Sequence, residues 1–182
     1  SGRQVIRNQM IDDGIKLQNP MKKLSAGSTH KAGNIKIEFI HTTHSVPHAS
    51  MIAVHTSEGV VLYTNDYKLD NTPVLGSIPD YKRLKELGKE GILALVADSL
   101  YSGILQKTPS EIIAREMLRE AMLDLKESDG AIIVTCFASH ICRLKSVIEF
   151  AHLIKRKVVF FGRSLSKYSE ASRNVNILDF SR

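Results

Sequence analysis

Histidines and an aspartate gather in one short part of this chain. Four of the seven histidines lie between positions 41 and 55, and Asp66 follows the next apolar run. A neutral imidazole nitrogen is a good zinc ligand, and a carboxylate has two oxygens with which it can bridge two cations. Hydrolases that use two metal ions need such a bridge to hold the ions about 3.5–4 Å apart. Residues 41–70 are therefore either a candidate metal site or a polar turn beside a hairpin.

The spacing of these residues does not by itself select the metal site. His41, His44 and His48 would share one face of a helix, because they are three and four residues apart. However, β-branched residues surround His44, and Pro47 would break the interior of such a helix. We therefore expect this segment to leave a strand, so that only some of its histidines can converge. Taken alone, the spacing favours a solvated loop histidine at 44 and a turn aspartate at 66.

The first half of the chain carries the signals of a hairpin-rich sheet. Apolar residues in the segment 35–39 alternate with Lys36 and Glu38, which predicts a strand with one wet face. Two β-rich runs, 51–56 and 60–64, are separated by Ser-Glu-Gly. A three-residue connection that contains Gly is typical of an antiparallel hairpin.

A helix and a buried strand should complete this half. Residues 80–87 have a short helical pattern, and Gly88 is placed to cap its carboxyl end. Residues 92–97 form a continuous apolar run, which predicts a strand covered on both faces.

The second half alternates helix and strand signals. Thr-Pro-Ser-Glu at 108–111 is a capping box with Thr at the N-cap and Pro at the first helical position, so a helix should run to about residue 127. This alternation implies right-handed crossovers and a mostly parallel sheet, and hence an α/β fold in two lobes. Further strands are predicted at 131–135, 157–161 and 175–178, and further helices at 139–155 and from about 164.

Composition restricts the partners and the compartment. No apolar run approaches the ~20 residues that span a bilayer, so we expect no membrane partner. Lys and Arg outnumber Asp and Glu by 25 to 19, and the net charge of +6 suits a polyanion such as nucleic acid. The basic residues are scattered in small groups, among them Lys155-Arg156-Lys157. Two cysteines are too few for a disulfide framework, which predicts a reducing, cytoplasmic setting.

Motifs in the stretch that holds the histidines resemble those of the ribonuclease J family. These proteins are nucleases of the metallo-β-lactamase fold with an inserted β-CASP domain. His-Ser-Val-Pro at 44–47 is similar to the family's His-Ser-Ile-Pro. Thr-Asn-Asp-Tyr-Lys-Leu-Asp at 64–70 is similar to its Thr-Gly-Asp-Phe-Lys-Phe-Asp, and Thr-Pro follows at 72–73 in both.

Three further motifs follow in the family's order. Ala-Asp-Ser at 97–99 resembles the Ser-Asp-Ser that opens the β-CASP domain. Cys-Phe-Ala-Ser-His at 136–140 resembles Thr-Phe-Ala-Ser-Asn, and residues 156–164 resemble the family's Arg-Lys, apolar strand and Gly-Arg-Ser run. The ordered set of motifs is far more specific than any one of them, and it covers nearly the whole chain from about Ile35.

The resemblance implies a two-zinc site. His44 would be a metal ligand and Asp66 the carboxylate that bridges two zinc ions, while Asp98 would lie nearby as an acid that orients a ligand or substrate. Lys68 would either face phosphate or be an exposed lysine at the end of a strand.

The resemblance also places candidate substrate-binding residues in the second half. Ser139 and His140 lie at a strand-to-helix junction, where N–H groups of the helix can receive phosphate, although His140 also suits a capping or surface role. Arg163 lies at a second such junction, where it would pair with RNA phosphate or with an internal carboxylate.

The chain departs from the family pattern at single positions and by two absences. Asn65 replaces the usual Gly, but Asn tolerates a positive φ and the turn can survive. His48 replaces an Asp of the family pattern, and His140 replaces an Asn. The family's His-x-His-x-Asp-His and His-x-Ser-Gly-His motifs do not occur in this sequence.

The chain is therefore expected to be an internal piece of such an enzyme. Residues 1–97 would be the carboxyl-terminal part of the metallo-β-lactamase lobe, of αββα type, and residues 98–182 the first part of a parallel-sheet β-CASP domain. The complete protein would be a zinc-dependent ribonuclease with RNA as its partner. It would act as a 5′→3′ exonuclease and could also act as an endonuclease, and it could form a homodimer. The alternatives are another β-CASP RNA-processing hydrolase, or a non-catalytic RNA-binding module of the same fold.

We predict that the isolated 182-residue chain binds zinc weakly or not at all and does not cleave RNA. His44 and Asp66 are too few to fill two metal coordination spheres. Zinc titration by calorimetry and an RNA cleavage assay on the isolated chain test this. Tight, stoichiometric zinc together with nuclease activity would contradict it.

Overall fold

The computed structural model describes residues 2–16, 18, 21–127 and 129–178. Its mixture of helices and one sheet confirms the predicted α/β class. The helices are α1 (Gly2–Asp12), α2 (Tyr81–Glu90), α3 (Glu111–Asp124), α4 (Ile141–Leu153) and α5 (Arg163–Arg173). The strands are β1 (Thr29–Ala32), β2 (Ile35–His41), β3 (Ser50–His55), β4 (Val60–Tyr63) and β5 (Ala94–Val96).

Packing divides the chain into two compact units. We call them the sheet unit (Leu24–Ile113) and the helical unit (Ser1–Lys23 with Ala114–Arg182). The family-based division into residues 1–97 and 98–182 stays a prediction, because it concerns the domains of a longer protein. Among the helices of the described residues, none has the length and apolar content needed to cross a membrane.

The five strands form one mixed sheet in the order β1-β2-β3-β4-β5. Neighbouring strands are antiparallel from β1 to β4, whereas β5 pairs with β4 in parallel. Consequently β2, β4 and β5 run in the same direction. Their last residues, His41, Tyr63 and Val96, define what we call the carboxyl edge of the sheet.

The predicted hairpin is confirmed. Strands β3 and β4 pair in the register that sets His55 opposite Val60. The N–H of Thr56 closes the turn by donating to the carbonyl oxygen of Gly59 at 3.0 Å. Gly59 has a φ of 143°, and a β-carbon at this position would lie 3.0 Å from Cβ of Leu93. The turn therefore needs glycine for both its backbone conformation and its close approach to the next segment.

Helix α2 packs on the sheet and ends later than predicted. The carboxylate of Asp80 caps it by accepting from the N–H of Arg83 at 3.0 Å. At the other end the cap is Gly91, with a φ of 95° and its N–H on the carbonyl oxygen of Leu87, so Gly88 lies inside the helix. Leu87 is buried in the core of the sheet unit with Ile40, Met51, Ala53 and Leu62, so α2 packs on the sheet through this residue.

The sequence predicts that Glu38 lies on the solvent-exposed face of β2. In the structure Glu38 is buried. Glu38 is 8% exposed, while Ile35 on the opposite face is 41% exposed. Arg83 donates from Nε and Nη2 to the two carboxylate oxygens of Glu38 at 2.5 and 3.0 Å, and Nε2 of His55 lies 2.9 Å from Oε2. The hydrogen bonds from Arg83 lower the pKa of Glu38 against the opposing effect of burial. A carboxylate can be buried when its partners satisfy it, and these partners are distant in sequence.

Strand β5 is shorter and more exposed than predicted. It comprises three residues, of which Leu95 and Val96 are 61% and 51% exposed. The prediction of a strand covered on both faces is therefore wrong for the described residues. The ladder still forms, because pairing with β4 uses only backbone groups.

Helix α3 begins at Glu111, three residues beyond the predicted N-cap. The carbonyl oxygen of Ser110 accepts from the N–H of Ile113 at 3.1 Å, and its hydroxyl accepts from Ile112 at 3.3 Å. Ser110, not Thr108, therefore precedes the first turn. The cause is a carboxylate from another segment, described below.

The helical unit contains α4 and α5 close to their predicted positions. Residues 131–135, 157–161 and 175–178, by contrast, form no ladder within the described parts of the chain. In these runs Ile133, Val159 and Phe161 are 87%, 84% and 94% exposed. A strand requires a neighbour that pairs its N–H and C=O groups, and the described residues supply none here.

We predict that Glu38→Gln destabilises this chain by about 2 kcal/mol at pH 7, because it removes a buried charge from Arg83. The folded pKa of Glu38 lies below its ordinary value of 4.5. Its contribution is therefore present above pH 4.5 and is lost as the pH falls through the folded pKa. Urea unfolding at several pH values measures this. Glu58→Gln, in the exposed hairpin turn, is the control, and an equal effect of both changes would contradict the prediction.

Candidate functional site

Three of the predicted site residues follow the strands that end at the carboxyl edge of the sheet. His44 lies three residues after β2, Asp66 three residues after β4, and Asp98 two residues after β5. All three side chains are exposed. The direction of the strands thus brings to one edge residues that are far apart in the sequence.

A backbone bridge joins the segment of His44 to the segment of Asp66. Thr43 and Lys68 form an isolated antiparallel bridge, in which the N–H of Lys68 donates to the carbonyl oxygen of Thr43 at 2.8 Å. The hydroxyl of Thr43 donates in turn to the carbonyl oxygen of Lys68. Because antiparallel neighbours lie opposite each other, His44 leaves this bridge beside the residues that connect Asp66 to Lys68.

The segment of Asp98 is tied to the same edge. The N–H of Thr64 donates to the carbonyl oxygen of Val96 at 3.0 Å, which extends the parallel pairing beyond β4. The hydroxyl of Thr64 accepts from the N–H of Asp98 at 3.2 Å. The carboxylate of Asp98 accepts from the N–H of Leu100 at 3.0 Å, which orients it in a local turn.

Asn65, which stands where the family pattern has a glycine, has the positive φ that this turn requires. Its φ is 53°, in the left-handed region that Asn tolerates better than most residues. Its side-chain amide donates to the carbonyl oxygen of Ser50 at 2.8 Å, which holds the turn against the start of β3. The expectation that the turn survives this substitution is confirmed.

Asp70 was not among the residues predicted for the site, yet it holds the site segments in place. It is 4% exposed. Its Oδ2 accepts from the N–H of Glu111 at 2.8 Å, and its Oδ1 accepts from the hydroxyl of Ser110 at 2.5 Å and the N–H of Thr72 at 3.0 Å. Its own N–H donates to the hydroxyl of Thr43 at 3.0 Å. Asp70 thus caps helix α3 from a distance and fixes the bridge beside His44.

The surroundings of Asp70 favour its charged form. Burial raises the pKa of Asp70, but the hydrogen bonds from Glu111, Ser110 and Thr72 outweigh burial and leave the pKa below its ordinary value. Nζ of Lys68 lies 3.8 Å from Oδ2 and acts in the same direction. The turn that Asp70 forms with Thr72 could be predicted from the sequence, because the two residues are close together in it. The cap on α3 could not, because Asp70 and Glu111 are far apart in the sequence.

The other histidines of the stretch have separate surroundings. Nε2 of His41 lies 2.9 Å from the carbonyl oxygen of Ser77, and His55 faces Glu38 inside the sheet unit. His48 is exposed in the turn that follows Pro47. Of the four, His44 is the one that comes directly after the bridge between Thr43 and Lys68.

The predicted substrate-binding residues of the second half lie in the helical unit. His140 is the N-cap of α4, and its Nδ1 accepts from the N–H of Arg143 at 3.2 Å, so the capping role is the one observed. Ser139 precedes it in a turn, half-buried. Arg163 is the exposed first residue of α5, whose N-cap, Gly162, makes no side-chain hydrogen bond.

The donor set at the carboxyl edge suits zinc in type but not in number. His44 offers an imidazole and Asp66 a carboxylate, which are ordinary zinc ligands. Within the described ranges, no group of three or more His, Cys, Asp or Glu side chains could hold a metal ion. A zinc ion takes three or four protein ligands, so these residues fit as part of a site.

Comparison with known proteins first shows which kind of domain the chain contains. Residues 129–182 match the family model described as "Ribonuclease J, beta-CASP domain", which fits the predicted metallo-β-lactamase and β-CASP architecture. A crystal structure of a protein of unknown function from Enterococcus faecalis V583 has a similar fold, with a TM-score of 0.57 and 17% identity. It matches 81% of this chain and 37% of its own chain.

Named relatives point to the same family. The chain is 42% identical over 169 residues to ribonuclease J of Pyrococcus abyssi and 36% identical over 179 residues to that of Methanocaldococcus jannaschii. It is 33% identical to ribonuclease J 2 of Staphylococcus epidermidis over 176 residues. These matches cover 92%, 98% and 93% of this chain but 37%, 39% and 31% of the relatives. The chain is related to the ribonuclease J family, as its motifs predicted, and it matches just over a third of the length of its archaeal members.

We predict that Asp70→Ala destabilises the chain by about 2 kcal/mol, because it removes the cap of α3 and leaves buried donors unpaired. The amide of Glu111 should then exchange faster with deuterium, and NMR-detected exchange measures this directly. Asp124→Ala, at the exposed end of the same helix, is the control and should leave that amide unchanged. Unaltered protection of the Glu111 amide in Asp70→Ala would show that the carboxylate does not act as a cap.

Proposed function

We propose that this chain is part of a metal-dependent ribonuclease that hydrolyses RNA phosphodiester bonds. The observation that carries the proposal is that His44, Asp66 and Asp98 each follow a strand that ends at the carboxyl edge of the sheet. The relatives named ribonuclease J support the same reaction. The chain spans 31 to 39% of the length of these relatives, so the activity proposed is that of the longer protein.

In this proposal His44 and Asp66 hold zinc, with Asp66 as the bridge between two ions. Bound zinc would supply Lewis-acid polarisation of the phosphoryl group and activation of the attacking water. The remaining ligands would come from parts of the longer protein that this chain does not contain. The bridge between Thr43 and Lys68 would hold His44 and Asp66 at a constant separation.

Two neighbouring residues would act on the substrate. Asp98 would orient a ligand or the RNA, since its backbone is tied to Thr64 and its carboxylate is exposed. Lys68 would offer its cation to phosphate, although Asp70 at 3.8 Å shares that charge. In the helical unit, Ser139 and Arg163 would bind RNA phosphate at the starts of α4 and α5, while His140 would hold the first turn of α4 as its N-cap.

The wider properties follow from the same family. We propose that the longer protein acts as a 5′→3′ exonuclease and works in the cytoplasm. It could also act as an endonuclease and form a homodimer. Its binding to RNA should be mainly electrostatic and should weaken with salt, since the chain carries a net charge of +6.

Asp66→Ala in the full-length protein tests this proposal. RNA hydrolysis should fall by at least about 100-fold, because the spacing of the ions depends on the bridge. Zinc content, measured by mass spectrometry, should fall with it. Glu58→Ala, in the exposed hairpin turn of the same sheet, is the control and should change neither value. Hydrolysis near the wild-type rate in Asp66→Ala would rule out the bridging role, and a full-length protein without zinc or hydrolysis would favour a non-catalytic RNA-binding module.

A further inference from the structure

A cavity of about 750 Å³ lies in the helical unit, between α4, the segment 155–160 and α5. Its apolar lining includes Ile148, Val158 and Phe160, and Phe160 is half-buried there. The volume is within the range of about 300–1,000 Å³ that is usual for sites that bind small molecules. It is large enough for one or two nucleotides.

The same cavity is lined by an excess of positive charge. Four cations face it, and they come from two places in the sequence: Lys155, Arg156 and Lys157 follow α4, while Arg173 ends α5. Glu170 is the carboxylate in the lining. The basic group at 155–157, which the proposed function leaves without a role, thus belongs to a concave site.

The helix ends do not cancel this charge. The carboxyl termini of α4 and α5 each carry about half a negative charge, and cations near them are stabilised. Together with Glu170 these ends offset roughly two of the four positive charges. Arg156 is engaged, since its Nη1 donates to the carbonyl oxygen of Gly130 at 3.2 Å. Among the described residues, Lys155, Lys157 and Arg173 have no ion pair, so their charge remains available to a ligand.

We propose that this cavity binds a nucleotide of single-stranded RNA, as a second contact with the substrate of the proposed ribonuclease. The base would pack against Phe160 and the neighbouring apolar residues, and the phosphates would pair with Lys155, Lys157 and Arg173. Grooves that bind single strands without sequence preference combine these two features, cations for the backbone and an aromatic face for stacking. The inference rests on the proposed function for its substrate, but not on His44, Asp66 or Asp98.

The test compares two triple variants of the full-length protein that lose the same charge. One carries Lys155→Gln, Lys157→Gln and Arg173→Gln. The control carries Lys82→Gln, Lys85→Gln and Lys89→Gln, all on exposed positions of α2. The probe is a fluorescent single-stranded oligoribonucleotide with 2′-O-methyl groups, which resists cleavage, and its dissociation constant is measured at several salt concentrations.

In the cavity variant, binding should weaken about 10-fold at 0.1 M salt, and the slope of log affinity against log salt should fall by about 2. The control should stay within about 2-fold. At saturating RNA the cavity variant should keep its cleavage rate, so that the loss appears in KM. An equal loss in both variants, or none in the cavity variant, would overturn the proposal.

A second pair of variants tests the aromatic contact. Phe160→Leu keeps the apolar volume but removes the stacking face, and should weaken binding about 5-fold or more. Phe161→Leu alters the next residue, which is 94% exposed and does not line the cavity, and should have no effect. If Asp66→Ala loses hydrolysis but the cavity variants bind RNA like the wild type, this inference is wrong and the proposed reaction still stands.

Discussion

The carboxylate of Asp70 is buried where the segment after β4 meets Thr43 and the start of α3, and the candidate site depends on how that charge is satisfied. A buried carboxylate without partners would cost several kcal/mol, on the order of the stability of a whole domain. The donors of Thr72, Ser110 and Glu111 therefore have to surround it. Once they do, the bridge between Thr43 and Lys68 is fixed in turn.

The direction of the strands supplies the rest of the geometry. Two antiparallel pairings return β4 to the direction of β2, and one parallel pairing adds β5 in the same direction. Loops that follow such strands leave from one edge, and side chains in those loops are held by a rigid backbone. His44, Asp66 and Asp98 share this edge although their segments are far apart in the sequence.

Two conditions decide which side chains are buried: a buried charge needs partners, and an apolar side chain needs an element that covers it. Glu38 is inside because Arg83 and His55 satisfy it, and the same ion pair ties α2 to the sheet. On β5 and in the segments 131–135 and 157–161, apolar side chains are exposed although the pattern predicts burial. Burial needs a covering element as well as an apolar residue, and the described residues provide that element only for part of the chain.

The sequence by itself determined the features that depend on neighbours along the chain. These include the hairpin with its Gly59 turn, the positions of α4 and α5, the positive φ of Asn65, and the ordered motifs that relate the chain to ribonuclease J. Each arises from local backbone preferences or from the order of residues, which a sequence records directly.

Only the tertiary structure decided the role of Asp70, the burial of Glu38 and the start of α3 at Glu111. In each case a charged or polar group takes its partner from a segment dozens of residues away. The energy of such a pair depends on distance and burial in space, and neither quantity is written in the spacing of residues along the chain.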